Sequence, residues 1–286
     1  MSKTSSKKSK KQSKKSIETL IEDIYDLFDK GHDVSEKSKT ALGINLASVI
    51  SERLASYKEK RKQTLRMSNI GKNPLQLWYD INGTHEIPET SPQDKFKFLF
   101  GDILEALVIF LAKEAGHTVT REQEEVELEG IKGHIDCFID GELVDVKSTS
   151  KYAFGKFLSE KSLRDQDSFG YVEQLSGYAQ ATGRDSGYFF AVGKEDGRLQ
   201  LLQLGIDDVR PRIKDLKEIL SKSEPPFKCS NDRPIGTSGN RELTYPCTYC
   251  NHKEVCWPGL QRYEYSNGIK YLTVVAKEPQ VNKKEN

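Results

Sequence analysis

Residues 16–30 repeat apolar side chains at helical spacing, with Ile17, Leu20, Ile21, Ile24, Tyr25, Leu27 and Phe28 forming one wide stripe that predicts a helix. A second helical pattern runs from about Ala41 to Arg66 and ends in the basic run KEKRKQTLR, which reads first as a solvated helix face. A turn at Gly71-Lys72-Asn73-Pro74 leads into LQLWYDIN. Residues 95–115 are dense in apolar positions and lack proline, which predicts a mostly buried helix stopping at Gly116. Asp102 and Glu105 are informative exceptions on it, three residues apart and so on roughly one face. From His117 the apolar period changes from helical to alternating, the signature of strands. Two such runs, IKGHIDCFI and ELVDVKSTS, flank Asp140-Gly141, a strong short-hairpin signal. A helix over 168–182 ending at Gly183, a hairpin over 187–205 and a helix over 207–222 follow, after which Pro, Asn, Gly and Cys dominate.

If Asp140 and Gly141 are the two loop residues, Ile139 faces Glu142, Asp136 faces Asp145 and His134 faces Lys147. His134, Asp136, Asp145 and Lys147 then project from one face, and Ile135, Cys137, Val144 and Val146 from the other. Two aspartates opposed across neighbouring strands have Cβ atoms about 4.5–5.5 Å apart, and such a pair is destabilising unless something neutralises it. A divalent cation would do so, and oxygen-only ligation suits Mg²⁺ or Mn²⁺ better than zinc. Lys147 beside the pair suits a phosphate oxygen or an attacking water, with its pKa lowered if it is partly buried. A solvent-facing strand would produce the same alternation.

The chain has 286 residues, enough for one sizeable core with appendages, and 30% of them are charged. Its net charge of +1 is unevenly spread. Lys3, Lys7, Lys8, Lys10, Lys11, Lys14 and Lys15 stand without an acid among them, so the rest, holding all 43 acidic residues, is net negative. Such a tail is expected to be disordered; attraction to phosphates and simple solubilisation are both open readings. No apolar run approaches the roughly 18 residues that span a bilayer, which points to a cytoplasmic protein. Four of the five cysteines, Cys229, Cys247, Cys250 and Cys256, crowd into the last quarter, where clustering favours metal ligation over disulfides in a reducing compartment. Softness alone admits zinc and an iron-sulfur cluster equally.

The string from Gly133 to Lys147, GHIDCFIDGELVDVK, resembles the motif of PD-(D/E)XK nucleases, with Ile135-Asp136 in place of Pro-Asp and Asp145 in place of the commoner Glu. Residues 101–105, GDILE, resemble the helical first motif of the RecB-like exonuclease branch, and Gln174 with Tyr178 matches its Q-x-x-x-Y signature. The resemblance covers roughly residues 68–260 and implies an α/β core, a central mixed sheet flanked by helices. It also implies Mg²⁺ or Mn²⁺ bound by Glu105, Asp136, Asp145 and the Val146 carbonyl, Lys147 orienting the nucleophile, and Gln174 and Tyr178 contacting substrate. Leu104 stands where branch members often have histidine, so either His134 substitutes as a metal or phosphate contact or it only supports the carboxylates that hold the metal. The spacing of the last three cysteines is similar to that of CRISPR-associated RecB-like nucleases, where a four-iron cluster closes the domain. Their far-upstream first cysteine has no counterpart in SNIGKNPLQLWYD, so Cys229 would replace it, and zinc competes with iron-sulfur.

The expected organisation is a Lys-rich tail (1–15), a helical region (16–92), a nuclease core (93–225), a four-cysteine metal module (226–262) and a C-terminal strand and tail (263–286). The expected function is a metal-dependent DNA nuclease, an exonuclease in recombination, repair or degradation. A structure- or site-specific endonuclease and a non-catalytic DNA-binding module are the alternatives. No helicase motif is present, so an unwinding or recombination partner would be a separate chain, and phage-encoded degradation in the host cytoplasm is one setting.

Overall fold

The computed structural model describes residues 15–58 and 63–284, with the side chains of 245 and 246 outside the description. Most of the Lys-rich tail and residues 59–62 of the basic run therefore lie outside the described residues. Lys15, at the tail's end, is ion-paired with Asp23 at 2.5 Å. Among the described residues no helix is long and apolar enough to cross a membrane.

The first four helices are α1 (Leu20–Asp29), α2 (Glu36–Ser56), α3 (Pro74–Asn82) and α4 (Pro92–Glu114). Each of α2, α3 and α4 is started by a polar cap: Ser35, Asn73 and Ser91 accept the N–H groups of Ser38, Leu75 and Asp94. The strands β1 (Val119–Thr120), β2 (Glu125–Leu128), β3 (Ile131–His134), β4 (Cys137–Ile139) and β5 (Glu142–Thr149) follow. Three short helices, α5 (Lys151–Phe154), α6 (Glu160–Gln166) and α7 (Tyr171–Ala181), carry the chain from β5 across to β6 (Ser186–Gly193), which pairs with β5 in parallel. Strand β7 (Leu199–Gly205) and helix α8 (Arg210–Ser221) complete this part. The resulting mixed sheet has the order β1-β4-β5-β6-β7, while β2 and β3 pair only with each other.

Helices flank this sheet on both faces, and alternation along the strands explains why. Cys137, Ile139, Val144, Val146, Phe190 and Val192 pack with Leu20, Ile24, Val108, Ile109 and Ala112 of α1 and α4. Phe138, Leu143, Phe189 and Ala191, of the opposite parity, pack with Leu175 and Tyr178 of α7, Ile213 of α8 and Met67 and Ile70 ahead of α3. Fully burying each of the larger aliphatic and aromatic side chains is worth about 1.5–3 kcal/mol. His117, buried, ties α1 to the hairpin: its Nδ1 lies 2.6 Å from Asp140 Oδ2 and its Nε2 3.2 Å from Asp23 Oδ2.

Two helical expectations need correction. The predicted helix over 41–66 is shifted, running from Glu36 to Ser56, and it buries none of its residues. The first half of α4 is not buried: Phe96, Phe98 and Phe100 are exposed, because the helix outruns the sheet and only Ala106, Val108, Ile109 and Ala112 are enclosed.

The remaining strands are β8 (Arg233–Pro234), β9 (Arg241–Glu242), β10 (Gln261–Tyr265), β11 (Gly268–Val274) and β12 (Asn282–Lys284), with short helices α9 (Tyr245–Thr248) and α10 (Lys253–Cys256) between β9 and β10. They form a second sheet of order β12-β10-β11-β9-β8. The cysteine segment and the C-terminal residues thus share one sheet. His252, 2% exposed, fastens that segment to α3: its Nε2 lies 2.9 Å from Asp80 Oδ1 and its Nδ1 2.9 Å from His85 Nε2.

Candidate active site

The predicted hairpin register holds as far as Cys137: Ile139 faces Glu142, Phe138 faces Leu143 and Cys137 faces Val144. Asp140 and Gly141 both have positive φ, at 52° and 90°, as a two-residue hairpin turn requires. Beyond Cys137 the expectation fails. The chain leaves the sheet at Ile135-Asp136 and β3 pairs with β2, so His134 faces Glu125 rather than Lys147. Ile135, expected beside Cys137 and Val144, instead packs in the cluster with Phe138 and Leu143. His134 is exposed, 3.9 Å from Glu125, and has no place in the carboxylate cluster described next.

The break serves the site. Freed from the ladder, the Asp136 side chain accepts the Val146 N–H on its Oδ2 at 2.7 Å, beside Asp145 and Lys147 on β5. Glu105 of α4 is joined to the same point by a residue that sequence reasoning missed. Gln123 donates its side-chain N–H to Glu105 Oε1, while its backbone N–H donates to the Asp136 carbonyl at 3.0 Å. Gln123 has φ of 52°, a conformation uncommon outside glycine, and nothing in the hydrophobic pattern marks it.

Asp145 is 1% exposed; its Oδ2 is ion-paired with Lys147, and its Oδ1 is buried with no hydrogen-bond partner. Burial and the Asp145 charge push Glu105 up to about 7, and burial, Asp145 and Glu105 hold Asp136 well above the carboxylate range. The lowered pKa expected for Lys147 is contradicted. Burial alone would lower it, but Asp145 and Asp136 outweigh burial and hold the ammonium above the ordinary lysine value. The Lys147 ammonium is seated 5.0 Å from the Tyr171 ring centroid and 6.0 Å from that of Phe189. Asp102, singled out with Glu105, is a structural partner of α2: Arg53 donates to both of its carboxylate oxygens.

Gln174 and Tyr178 lie on α7, four residues apart and so on one face of the helix. Burial pushes the Tyr178 hydroxyl up to about 12, and Asp145 and Asp136 add to the rise, which places it in their electrostatic neighbourhood. Gly133 admits the ring: a β-carbon there would lie 2.7 Å from Tyr178 Cε1 and 2.5 Å from Met67 Cβ. A cleft of about 800 Å³ opens from Glu105 and Gln123 toward α2, lined also by Arg53, Asp102 and Lys58.

In the C-terminal sheet, Cys247 and Cys250 are buried and Cys229 is exposed. Burial and then the other three cysteines push Cys229 up to about 11. Among the described residues no group of three or more His, Cys, Asp or Glu is arranged to hold a metal ion. At the carboxylates, Gln123 occupies Glu105 and Lys147 occupies one oxygen of Asp145.

No family model matches the chain, and no curated protein does. Distant likenesses exist among solved structures. An alkaline exonuclease from Laribacter hongkongensis is 17% identical, with 59% of this chain and 94% of that one covered at a TM-score of 0.39. A phage-related exonuclease from Haemophilus somnus is 16% identical, with 56% and 92% covered at 0.37. The protein SSO0001 is 16% identical, with 75% and 95% covered at 0.38. Likenesses this distant assign no activity.

Proposed function

We propose that this protein is a divalent-metal-dependent DNA nuclease, acting as an exonuclease. The observation that carries the reading is Asp145: a buried carboxylate with an unpartnered Oδ1, beside two further carboxylates whose charges it raises in cost. Such a group is costly unless a cation compensates it. Glu105, Asp136, Asp145 and the Val146 carbonyl would hold Mg²⁺ or Mn²⁺, which would polarise a water and the scissile phosphate. Lys147, ion-paired with Asp145 and seated over Tyr171, would stabilise negative charge gathering on the phosphate and orient the attacking water. Gln123 holds Glu105 against the Asp136 backbone, which keeps the carboxylates in one place as substrate enters. Gln174 and Tyr178 brace the α7 side. Zinc or an iron-sulfur cluster at Cys229, Cys247, Cys250 and Cys256 belongs to the same reading and rests on the clustering of these cysteines in the sequence.

The test is digestion of end-labelled linear DNA and closed circular DNA with Mg²⁺, Mn²⁺ or EDTA, by the wild type and Lys147→Ala. Metal-dependent loss of linear DNA alone, absent in the variant, is the expected result. Cleavage of circles would replace the exonuclease with an endonuclease. Intact substrates that nevertheless shift in a gel would replace catalysis with a binding module.

A further inference from the structure

Phe169 is 59% exposed on the loop that enters α7, and a lone exposed phenylalanine is ordinarily unremarkable. This one is held in place. The Asp167 carboxylate accepts the N–H groups of Phe169 at 3.2 Å, Gly170 at 2.9 Å and Val172 at 2.8 Å, clamping the loop around the aromatic residue. Gly170 has φ of 75° and its backbone is pressed onto Gly71, where a β-carbon would come within 2.3 Å of the Gly71 Cα. The loop is therefore braced on both sides of Phe169, which keeps the ring's entropy cost of binding low.

The ring also has a direction. Phe169 stacks on Tyr171 with centroids 5.5 Å apart and planes 26° apart, and the Tyr171 ring in turn carries the Lys147 ammonium at 5.0 Å. Lys156, 8% exposed, places a second ammonium 5.7 Å from the Phe169 centroid. A continuous series thus runs outward from the site cation: Lys147, Tyr171, Phe169, with Lys156 beside its outer end. Cations flanking an exposed aromatic face suit a ligand that is anionic along one edge and flat and aromatic along the other, which describes a nucleotide with an unpaired base.

We propose that Phe169 is a stacking platform for an unpaired base next to the phosphate held at Lys147. The inference rests on the nuclease reading. It makes the strand single-stranded at the site and leaves base identity unread, since every base has a π-face.

The experiment uses the full chain with Ca²⁺ and a labelled single-stranded oligonucleotide, either intact or carrying one abasic site at successive positions from the end. Binding is followed by anisotropy and cleavage, in Mg²⁺, by gel. Phe169→Ala is expected to weaken binding of the intact strand about tenfold, on the scale of one lost base-aromatic stack, and Phe169→Trp to preserve it. On the strand abasic at the stacked position, wild type and Phe169→Ala should bind alike. Equal weakening on every strand, or none on any, would overturn the platform while wild-type cleavage kept the nuclease reading intact. A wild type that neither bound nor cut any strand would sink the nuclease reading and the platform with it.

Discussion

The first sheet lies between two clusters of buried side chains supplied by helices on both faces, whereas among the described residues the C-terminal sheet has a small cluster of Leu243, Cys247 and Leu260, with Trp257 and Tyr271 at its margin. The first can enclose costly groups such as Asp145 because the surrounding packing holds them there. The second buries Tyr263 and Leu272 within its sheet and is tied by polar links, such as His252 on Asp80 and Arg241 on Asp232. The first region encloses buried charge, whereas the second leans on polar links.

The largest expected effect lies at the centre of the first sheet. Asp145→Asn should lower the cleavage rate about 10³-fold, the scale of losing a principal electrostatic contact, with the circular-dichroism spectrum unchanged. Unfolding of that variant instead would mean that Asp145 is structural.

Glu105 gives a test in pH. Its folded pKa of about 7 lies above its ordinary 4.5, so its contribution to stability is full below about pH 4.5 and is lost as pH rises through about 7. Metal-free protein should therefore be less stable at pH 8 than at pH 5 through this group, by on the order of 3 kcal/mol. Glu105→Gln should flatten that slope in urea melts followed across pH. An unchanged slope would remove Glu105 from the coupled cluster.

Cys247→Ser should strike only the second region. A hydroxyl in that small core is expected to cost about 2 kcal/mol and to strip bound zinc or iron, read by elemental analysis. Hydrogen exchange should rise over residues 229–284 and stay unchanged in β5 and β6. Uniform loosening of both sheets would show that the two regions unfold as one.

Arg53→Ala is the mildest change. Its two hydrogen bonds to Asp102 fasten α2 to α4, and both side chains are partly exposed, so a loss of about 1 kcal/mol is expected. Activity should fall only if α2 must stay in place to wall the cleft.

The helices α1, α4, α7 and α8 and the hairpin at Asp140-Gly141 were legible because each buries a periodic face or needs a particular turn chemistry. Glu105, Asp136 and Asp145 could be nominated because carboxylates stand out in apolar elements, and Lys147 because it follows Asp145 in the D-x-K pattern that carries the resemblance, whereas the burial of both hairpin faces was not legible. Only the tertiary structure decided that the strand ends at Ile135-Asp136, which sends His134 away and frees Asp136 to bind the Val146 N–H. That break goes with β3 pairing back onto β2 across the tight Glu129-Gly130 turn, a second local hairpin that competes with the register expected from Asp140-Gly141. The tertiary structure also decided the placement of Gln123, the sign of the Lys147 shift and the aromatic series to Phe169. Each is set by which charges and rings distant segments bring within a few ångströms, whereas the chain by itself determines only which faces must be hidden and where it can turn.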